Sequence, residues 1–255
     1  MTSKHDPYAR VEYRRLVAWK SRIAREGPYL LATLGAAPER SVVDLGCGTG
    51  EHVAFLAGEG FRAAGLDGSE SMLARARELE AGSFVMGDML DAPELLADDA
   101  PFGSAICLGN VLPHFLEEEQ IDGLVSVLAR ILVPGGVFLT QILNYHRILD
   151  QGLRHLPLNF GENEEGGELV FLRLMAPGPD GQILFFPTTL ALDPEAEEPV
   201  TLKASRRVAL RPWTLEDLAP RFEAQGFQIE AFGDMTGGPF DAGMSTDLVL
   251  RATRE

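Results

Sequence analysis

The sequence predicts an α/β fold: a doubly wound sheet of seven mostly parallel strands, with an antiparallel β insertion after the fifth strand. Short apolar segments alternate with amphipathic helical segments from residue 41 to residue 143, the pattern of a parallel sheet covered by helices on both faces. Residues 150–210 break this alternation with three strand-like segments joined by turn-rich sequences. A helix and two strands then complete the sheet near the C-terminus.

Each element of this fold follows from a local pattern. The helix over residues 117–132 is the clearest, because its apolar residues recur at three- and four-residue intervals and Pro134-Gly135-Gly136 ends it. Gly27-Pro28 is expected to interrupt the first helix, and Pro220 disfavours the first turns of the last one. The other predicted helices cover residues 8–26, 51–57, 69–79 and 214–225. The predicted strands of the main sheet cover residues 41–45, 63–66, 83–86, 103–108, 137–143, 227–232 and 246–252.

The whole chain, residues 1–255, is predicted to form a single domain with two additions to the sheet. Residues 1–40 are expected to form an N-terminal helical lid. Residues 150–210 are expected to form an inserted antiparallel subdomain with strands over 168–175, 182–192 and 200–210. The alternative use of these strands is a dimerisation surface, which would make the protein a homo-oligomer.

Composition and charge exclude several classes of function. Lys and Arg total 22 against 38 Asp and Glu, a net charge of −16, so the chain gains no affinity from a nucleic-acid backbone. No apolar stretch reaches the roughly 18 residues of a membrane span, and the polar N-terminus is not a secretory signal. A cytoplasmic protein without a membrane partner is therefore expected. The only cysteines are Cys47 and Cys107, with no histidine at metal-ligand spacing, so no metal site is expected.

The stretch VVDLGCGTGEH, residues 42–52, is the first candidate site, because ligands of a doubly wound sheet bind where its strands end. Glu51 stands where a dinucleotide-binding fingerprint has its third glycine. Asp44, directly before the loop, would repel a pyrophosphate but can pair with an ammonium group. The loop therefore predicts a ligand without phosphates. Its glycines follow a G-x-G-x-G spacing: Gly46, Gly48 and Gly50.

Two further carboxylates follow the next two predicted strands. Asp67 ends the second strand, where a carboxylate can accept both ribose hydroxyl hydrogens, as it also does in NAD sites. Asp88 follows the third strand and can accept from an exocyclic amine, while Met72 and Met89 can pack on an adenine. The alternative for Asp88 is a helix N-cap or a turn residue. Groups that suit an ammonium, a ribose and an adenine amine together describe S-adenosylmethionine.

With these residues in view, residues 41–143 resemble the class I S-adenosylmethionine-dependent methyltransferases, which have a Rossmann-like fold. A narrower resemblance to the glycine N-methyltransferase branch lies in ICLGNVLPHF (106–115), LNYHRIL (143–149) and SRIAREGPYLLATL (21–34). The resemblance implies S-adenosylmethionine as the cofactor and transfer of its methyl group to a small molecule. The favoured acceptor atom is nitrogen, and oxygen is the second choice. The lid and the insertion would then cover the acceptor site. The predicted cofactor-binding residues are Tyr8, Arg22, Asp44, Gly46, Cys47, Gly48, Gly50, Asp67, Gly68, Met72, Asp88, Met89, Leu108 and Gly109.

The resemblance also implies roles on the acceptor side. Arg22 would reach toward the methionine carboxylate, and Tyr8 would close over the site. The acceptor-binding residues it implies are Asn110, His114, Asn144 and Tyr145. His114 is either a general base or a histidine that caps the loop or orients Asn110, and Tyr145 is either a substrate-facing hydroxyl or a packing aromatic. Cys47 is a backbone contact and not a nucleophile.

One position departs from the glycine-methylating pattern. Leu143 stands where the branch has an arginine that binds the substrate carboxylate, so free glycine is disfavoured as the acceptor. Arg147, Arg173 or Arg206 could supply that charge instead. Two other functions share much of the pattern: an NAD-type oxidoreductase, and a regulatory protein that binds S-adenosylmethionine without chemistry. An oxidoreductase of this type would need the third glycine, which this chain lacks. A regulatory protein would need no acceptor pocket.

Overall fold

The computed structural model describes residues 17–163 and 165–255. The helices of this part are α1 (Trp19–Gly35), α2 (Glu51–Gly58), α3 (Glu70–Arg77), α4 (Ala92–Leu95), α5 (Glu118–Ile131), α6 (Tyr145–Asp150) and α7 (Leu215–Glu223). The first five strands are β1 (Ser41–Leu45), β2 (Arg62–Asp67), β3 (Ser83–Met86), β4 (Phe102–Cys107) and β5 (Leu132–Leu143). The later strands are β6 (Asn159–Glu162), β7 (Glu168–Pro177), β8 (Ile183–Leu192), β9 (Val200–Ser205), β10 (Val208–Leu210), β11 (Phe227–Phe232) and β12 (Asp247–Arg254).

Seven strands form the main sheet in the order β11-β12-β5-β4-β1-β2-β3. Strands β1 to β5 pair in parallel, whereas β12 runs antiparallel to both β5 and β11. This confirms the predicted doubly wound, mostly parallel sheet. The order reverses between β1 and β4, so a crevice opens at the carboxyl ends of these two strands.

The central strands are buried on both faces. All five residues of β1 and all six of β4 are buried, as expected for a parallel sheet covered by helices. One apolar cluster joins the sheet to α5 and α7, and a second joins it to α1 and α2. The carboxyl edge of the sheet is therefore held by packing on two sides.

The insertion forms a second, antiparallel sheet in the order β10-β8-β7-β6, with β9 pairing β8 beyond β10. The buried Trp213 joins this sheet to the main one, because its Nε1 donates to the carbonyl of Phe115 at 3.0 Å. Arg211 donates its backbone N–H to the carbonyl of Pro113 at 2.9 Å. The last strand of the insertion is thus fixed to the loop that follows β4.

Several elements differ from the sequence prediction. Helix α1 passes through Gly27-Pro28 without a break. A Cβ at Gly27 would lie 2.8 Å from Phe55, so the glycine permits close packing of α1 on α2. Helix α7 likewise continues through Pro220. Residues 8–16 of the predicted first helix lie outside the described residues. Within the described residues, no helix is both long enough and apolar enough to cross a membrane.

Candidate functional site

The loop between β1 and α2 turns back onto the second strand. The backbone N–H groups of Gly46 and Cys47 both donate to the carbonyl of Leu66, at 2.7 and 3.1 Å. Gly50, at φ +82°, is the N-cap residue of α2. These contacts hold the loop at the carboxyl ends of β1 and β2, as predicted from the sequence.

The three glycines of the loop serve different purposes. A Cβ at Gly50 would lie 2.8 Å from Ala76 and 2.9 Å from Phe84, so this glycine allows helix and strand to pack closely. A Cβ at Gly46 would lie 2.9 Å from Val111. A Cβ at Gly48 would have no described atom within 4 Å, although its φ is +54°. Gly48 therefore borders open space, the room that a ligand needs beside the backbone.

Asp67 is oriented by the loop itself. One carboxylate oxygen accepts the backbone N–H of Gly48 at 2.8 Å, and the other accepts that of Ser69 at 2.8 Å. The backbone thus fixes the direction of the predicted ribose acceptor from two sides.

Asp44 is a buried carboxyl at the end of β1, with 3% of its surface exposed. Burial raises its pKa from 3.8 to about 8, and the negative charge of Asp67 adds to this effect, while the positive charge of Arg22 opposes it. A carboxyl of this kind carries a proton at neutral pH and ionises when a cation approaches. The site is electrostatically suited to an ammonium group.

Arg22 lies at the predicted site and is held by a network that the sequence did not reveal. Its Nε donates to both carboxylate oxygens of Glu26 at 3.0 Å. His52, on α2, lies 3.3 Å from the same carboxylate. Burial by itself would raise the pKa of Glu26, but the hydrogen bond from His52 and the charge of Arg22 lower it to about 2. A spacing of four residues between Arg22 and Glu26 was the only local signal of this pair.

The loop after β4 forms the opposite wall of the crevice. Gly109 and Asn110 both have positive φ, +83° and +67°. Gly109 donates its N–H to Oε1 of Gln141 at 2.9 Å, and Nε2 of Gln141 donates to Asp247 at 2.7 Å. Leu108 is buried next to this turn. Gln141 and Asp247 support the site and were not predicted, because neither belongs to a local motif.

Asn110 and Tyr145 form a hydrogen-bonded pair between β4 and α6. The Asn110 Nδ2 lies 2.9 Å from the Tyr145 hydroxyl, and Oδ1 of Asn110 accepts the N–H of Leu143 at 3.0 Å. Burial raises the pKa of Tyr145, whose side chain is 1% exposed. The pair fixes the start of α6 against the loop after β4.

The buried Asn144 caps α6 and holds a distant loop. Its Oδ1 accepts the N–H of Arg147 at 3.3 Å, and its Nδ2 donates to the carbonyls of Ala242 and Ser245 at 2.8 and 2.9 Å. Both ends of the Asn144 amide group are therefore hydrogen-bonded within the protein. Its predicted role in binding the acceptor stays a prediction.

On the adenine side, Asp88 adopts the alternative conformation that the sequence also allowed. Its Oδ1 accepts the N–H of Leu90 at 2.9 Å, which caps the 3-10 turn Met89–Asp91. Asp88 remains exposed, so an oxygen is available to a ligand as well. Met72 is buried on α3, and a Cβ at Gly68 would lie 3.9 Å from the carbonyl of Gly87.

Two remaining candidates are a thiol and an imidazole. Cys47 is buried, and a Cβ at Gly65 would lie 2.7 Å from its sulfur. Burial and the charge of Asp44 raise the pKa of its thiol, which makes it a poor nucleophile. His114 is the exposed last residue of the 3-10 turn Leu112–His114, whose other two residues are buried; partial desolvation of its ring and the charge of Arg206 lower its pKa. The predicted Tyr8 lies outside the described residues.

Among the described residues, no group of three or more His, Cys, Asp or Glu side chains is arranged to hold a metal ion. The carboxyl edge thus combines a glycine loop, an oriented carboxylate, a buried carboxyl and an arginine. This set can bind the two ends of an amino-acid nucleoside.

Comparison with known proteins agrees with that geometry. Residues 42–136 match the family model described as a methyltransferase domain. Over 141 residues the chain is 32% identical to a glycine/sarcosine N-methyltransferase of Parasynechococcus marenigrum (strain WH8102), covering 54% of this chain and 50% of that protein. Over 134 residues it is 38% identical to a trans-aconitate 2-methyltransferase of Acidovorax ebreus (strain TPSY), covering 51% of this chain and 47% of that protein.

The fold is also that of a solved methyltransferase. An amino pentose methyltransferase from Micromonospora echinaspora, with S-adenosylmethionine bound, superposes with a TM-score of 0.70 at 20% identity, covering 94% of this chain and 92% of that chain. The chain matches about half the length of the curated relatives above. Sheet order, loop position and family model agree: residues 42–136 match a methyltransferase domain, and the fold is that of S-adenosylmethionine-dependent methyltransferases.

Proposed function

We propose that the protein transfers the methyl group of S-adenosylmethionine to a nitrogen atom of a small-molecule amine. The observation that carries this proposal is the pair of carboxyl groups that end β1 and β2. Asp44 is buried and suits an ammonium group, and the half-buried Asp67 is hydrogen-bonded to Gly48 of the glycine loop. The two groups match the amino-acid end and the ribose of one ligand.

The residues of the crevice fit this cofactor. Gly48 leaves space for a ligand against the backbone. The Asp67 carboxylate has a fixed direction, as a ribose acceptor requires, and Arg22 lies beside Gly109, where it can receive a carboxylate. When bound, S-adenosylmethionine supplies a methyl group that the sulfonium charge makes electrophilic.

The main task of the protein is then to align donor and acceptor. Correct orientation contributes about 7–11 kcal/mol to such a displacement, whereas a positioned base contributes roughly 10²–10⁴-fold, or about 3–5 kcal/mol. Rigid supports around the crevice are therefore more important than a strong base. The Asn110–Tyr145 pair and the Gly109–Gln141–Asp247 chain of hydrogen bonds are supports of this kind.

On the acceptor side, we assign contact with the amine to Asn110, which the buried Tyr145 holds in place, and proton acceptance to His114. The lowered pKa of His114 keeps its ring neutral near pH 7, so it can accept a proton, and its exposure lets that proton pass to water. Asn144 acts indirectly, through the loop of residues 241–245 that it holds.

We assign binding of a negatively charged group on the acceptor to a different arginine from the one in the glycine-methylating pattern. Leu143 has no charge, but Arg147 follows on α6, and its buried Nε has no hydrogen-bond partner in the described part of the chain. Arg173 is engaged through its Nη2, which donates to the carbonyl of Pro157 at 2.9 Å and to Asn159 at 3.2 Å. We therefore assign to Arg147 any anionic group that the amine carries.

The names of the relatives support nitrogen as the acceptor atom and keep oxygen as the second candidate. The glycine/sarcosine enzyme is an N-methyltransferase, and the solved neighbour is an amino pentose methyltransferase. The trans-aconitate enzyme acts on a compound without an amine. Because the insertion is fixed to the turn that carries His114, we propose that the insertion and α1 close over the acceptor.

A binding and transfer experiment tests the proposal. Calorimetry should detect S-adenosylhomocysteine binding and no comparable NAD⁺ binding. Methyl-labelled donor should then label members of a panel of amines. Absence of S-adenosylhomocysteine binding would refute the proposal. Binding without transfer to any amine, hydroxyl or carboxylate would favour the regulatory alternative.

A further inference from the structure

A buried cluster joins α1 to α2 beside the cofactor crevice. Its centre is Glu26, which is 3% exposed and bonded to groups on both helices. Arg22 and Arg25 donate from α1, the latter at 3.2 Å through Nη2, and His52 contacts the carboxylate from α2. A buried carboxylate is costly unless it is fully paired, so this amount of pairing at one site requires an explanation.

The pairing leaves the useful part of Arg22 turned toward the crevice. Glu26 takes the Nε hydrogen of Arg22, at 3.0 Å to each oxygen. A Cβ built on Gly109 would lie 3.9 Å from Nη1 and 4.0 Å from Nη2 of Arg22. Among the described residues, none accepts a hydrogen bond from Nη1 or Nη2 of Arg22, whose recorded bonds are made by Nε. Together they form the fork that binds a carboxylate in two parallel bonds.

Two aromatic contacts restrict the same side chain further. The Arg22 guanidinium carbon lies 5.0 Å above the ring of Trp19, and that ring meets His52 edge-on at 5.3 Å. Since His52 is in α2, which begins directly after Gly50 of the glycine loop, the cluster also fixes Arg22 relative to that loop. Arg22 is thus held between a carboxylate and an indole, with its Nη groups free to bind.

We propose that Glu26 is a positioning residue for cofactor recognition: it fixes Arg22 so that Nη1 and Nη2 receive the carboxylate of the amino-acid end of S-adenosylmethionine. This inference rests on the proposed function, because it requires that ligand in the crevice. Without Glu26, the long side chain of Arg22 would have to be ordered by the ligand, at the expense of affinity.

Comparison of two ligands tests the role. S-adenosylhomocysteine has the amino-acid end, whereas 5′-methylthioadenosine has the same nucleoside and sulfur without it. In calorimetry, Glu26→Gln should weaken S-adenosylhomocysteine binding about 10-fold or more and change 5′-methylthioadenosine binding less than about twofold. Glu26→Asp, which keeps the charge but withdraws it from Arg22, should show the same selectivity if Glu26→Gln folds poorly.

A matched control and a double variant complete the test. Glu94→Gln breaks the exposed 2.8 Å ion pair with Arg130 and should leave both affinities unchanged. Because Glu26 acts through Arg22, Glu26→Gln combined with Arg22→Gln should bind no more weakly than Arg22→Gln alone.

Three results would overturn the inference: unchanged S-adenosylhomocysteine affinity in both Glu26 variants, equal weakening of both ligands, or additive losses in the double variant. Equal weakening would show that Glu26 only supports the local fold. If the unaltered protein binds neither ligand, the proposed function itself fails. If the unaltered protein binds but the Glu26 variants lose affinity equally for both ligands, only the positioning role of Glu26 is overturned.

Discussion

The buried carboxyl of Asp44 makes cofactor binding depend on pH. In the free protein its pKa is about 8, chiefly because of burial. At pH 7 about nine in ten molecules therefore carry the proton, and an incoming ammonium group expels it. If only the ionised form binds, affinity follows the ionised fraction and rises about 50-fold from pH 6 to pH 8.

Stability should depend on the same group in the opposite direction. The folded-state pKa is raised above the unfolded value of 3.8, so the folded protein retains a proton that the unfolded chain loses. The stabilisation of the folded state by the protonated Asp44 carboxyl is complete below about pH 4 and is lost as the pH rises toward 8. At pH 7 the carboxyl costs up to about 4 kcal/mol, and Asp44→Asn should recover part of this amount without ligand.

Calorimetry measures the binding half of this prediction. S-adenosylhomocysteine titrated at pH 7 in buffers of different ionisation enthalpy should release about 0.9 proton per site. Asp44→Asn should bind weakly, with no proton release and no pH dependence from 6 to 8. Denaturant unfolding of both proteins at pH 5 and pH 8 gives the stability half. An affinity that stays flat over this range in the unaltered protein, with no proton release, would refute the reasoning.

Three further predictions concern single side chains of the crevice. Asp67→Ala should weaken S-adenosylhomocysteine binding about 10–100-fold in calorimetry, since it removes a charged acceptor; unchanged affinity would refute its assignment to the ribose. Gly48→Ala should lower the free energy of unfolding by only about 1–2 kcal/mol but abolish ligand binding. In Gly50→Ala the new methyl group would collide with Ala76, so the free energy of unfolding should fall by about 3 kcal/mol or more. Equal effects on stability would contradict the different roles of the two glycines. His114→Gln should lower kcat/KM about 100-fold and remove the fall in rate below the lowered pKa of that ring, whereas a loss under about 10-fold would assign the proton to water.

Features set by short-range pattern could be predicted from the sequence. The strand–loop–helix path through residues 42–52 and the carboxylate at the end of β2 depend on spacing within about 25 residues, and the structure has them as expected. The mostly parallel, doubly wound character of the main sheet followed from the alternation of elements, whereas the order of its strands was not predicted. The insertion was recognised by its strands, although β6 was not, because its four residues are half-exposed and lack a clear pattern.

The supports of the site could not be predicted, since they join distant positions. Glu26 meets His52 across 26 residues, and Gly109 meets Gln141 across 32. No local pattern relates the members of such pairs. Pro28 was expected to interrupt the first helix on local grounds, but packing of α1 against α2 outweighs the lost hydrogen bond.

Transfer of an isotopically labelled methyl group tests the central claim most directly. The protein is incubated with methyl-deuterated S-adenosylmethionine and a metabolite extract, and mass spectrometry identifies each compound that gains the label. We predict a labelled small-molecule amine, with the methyl group on nitrogen, that is absent with Asp67→Ala. A label found only on a carboxylate or hydroxyl oxygen, or on no compound, would contradict the account.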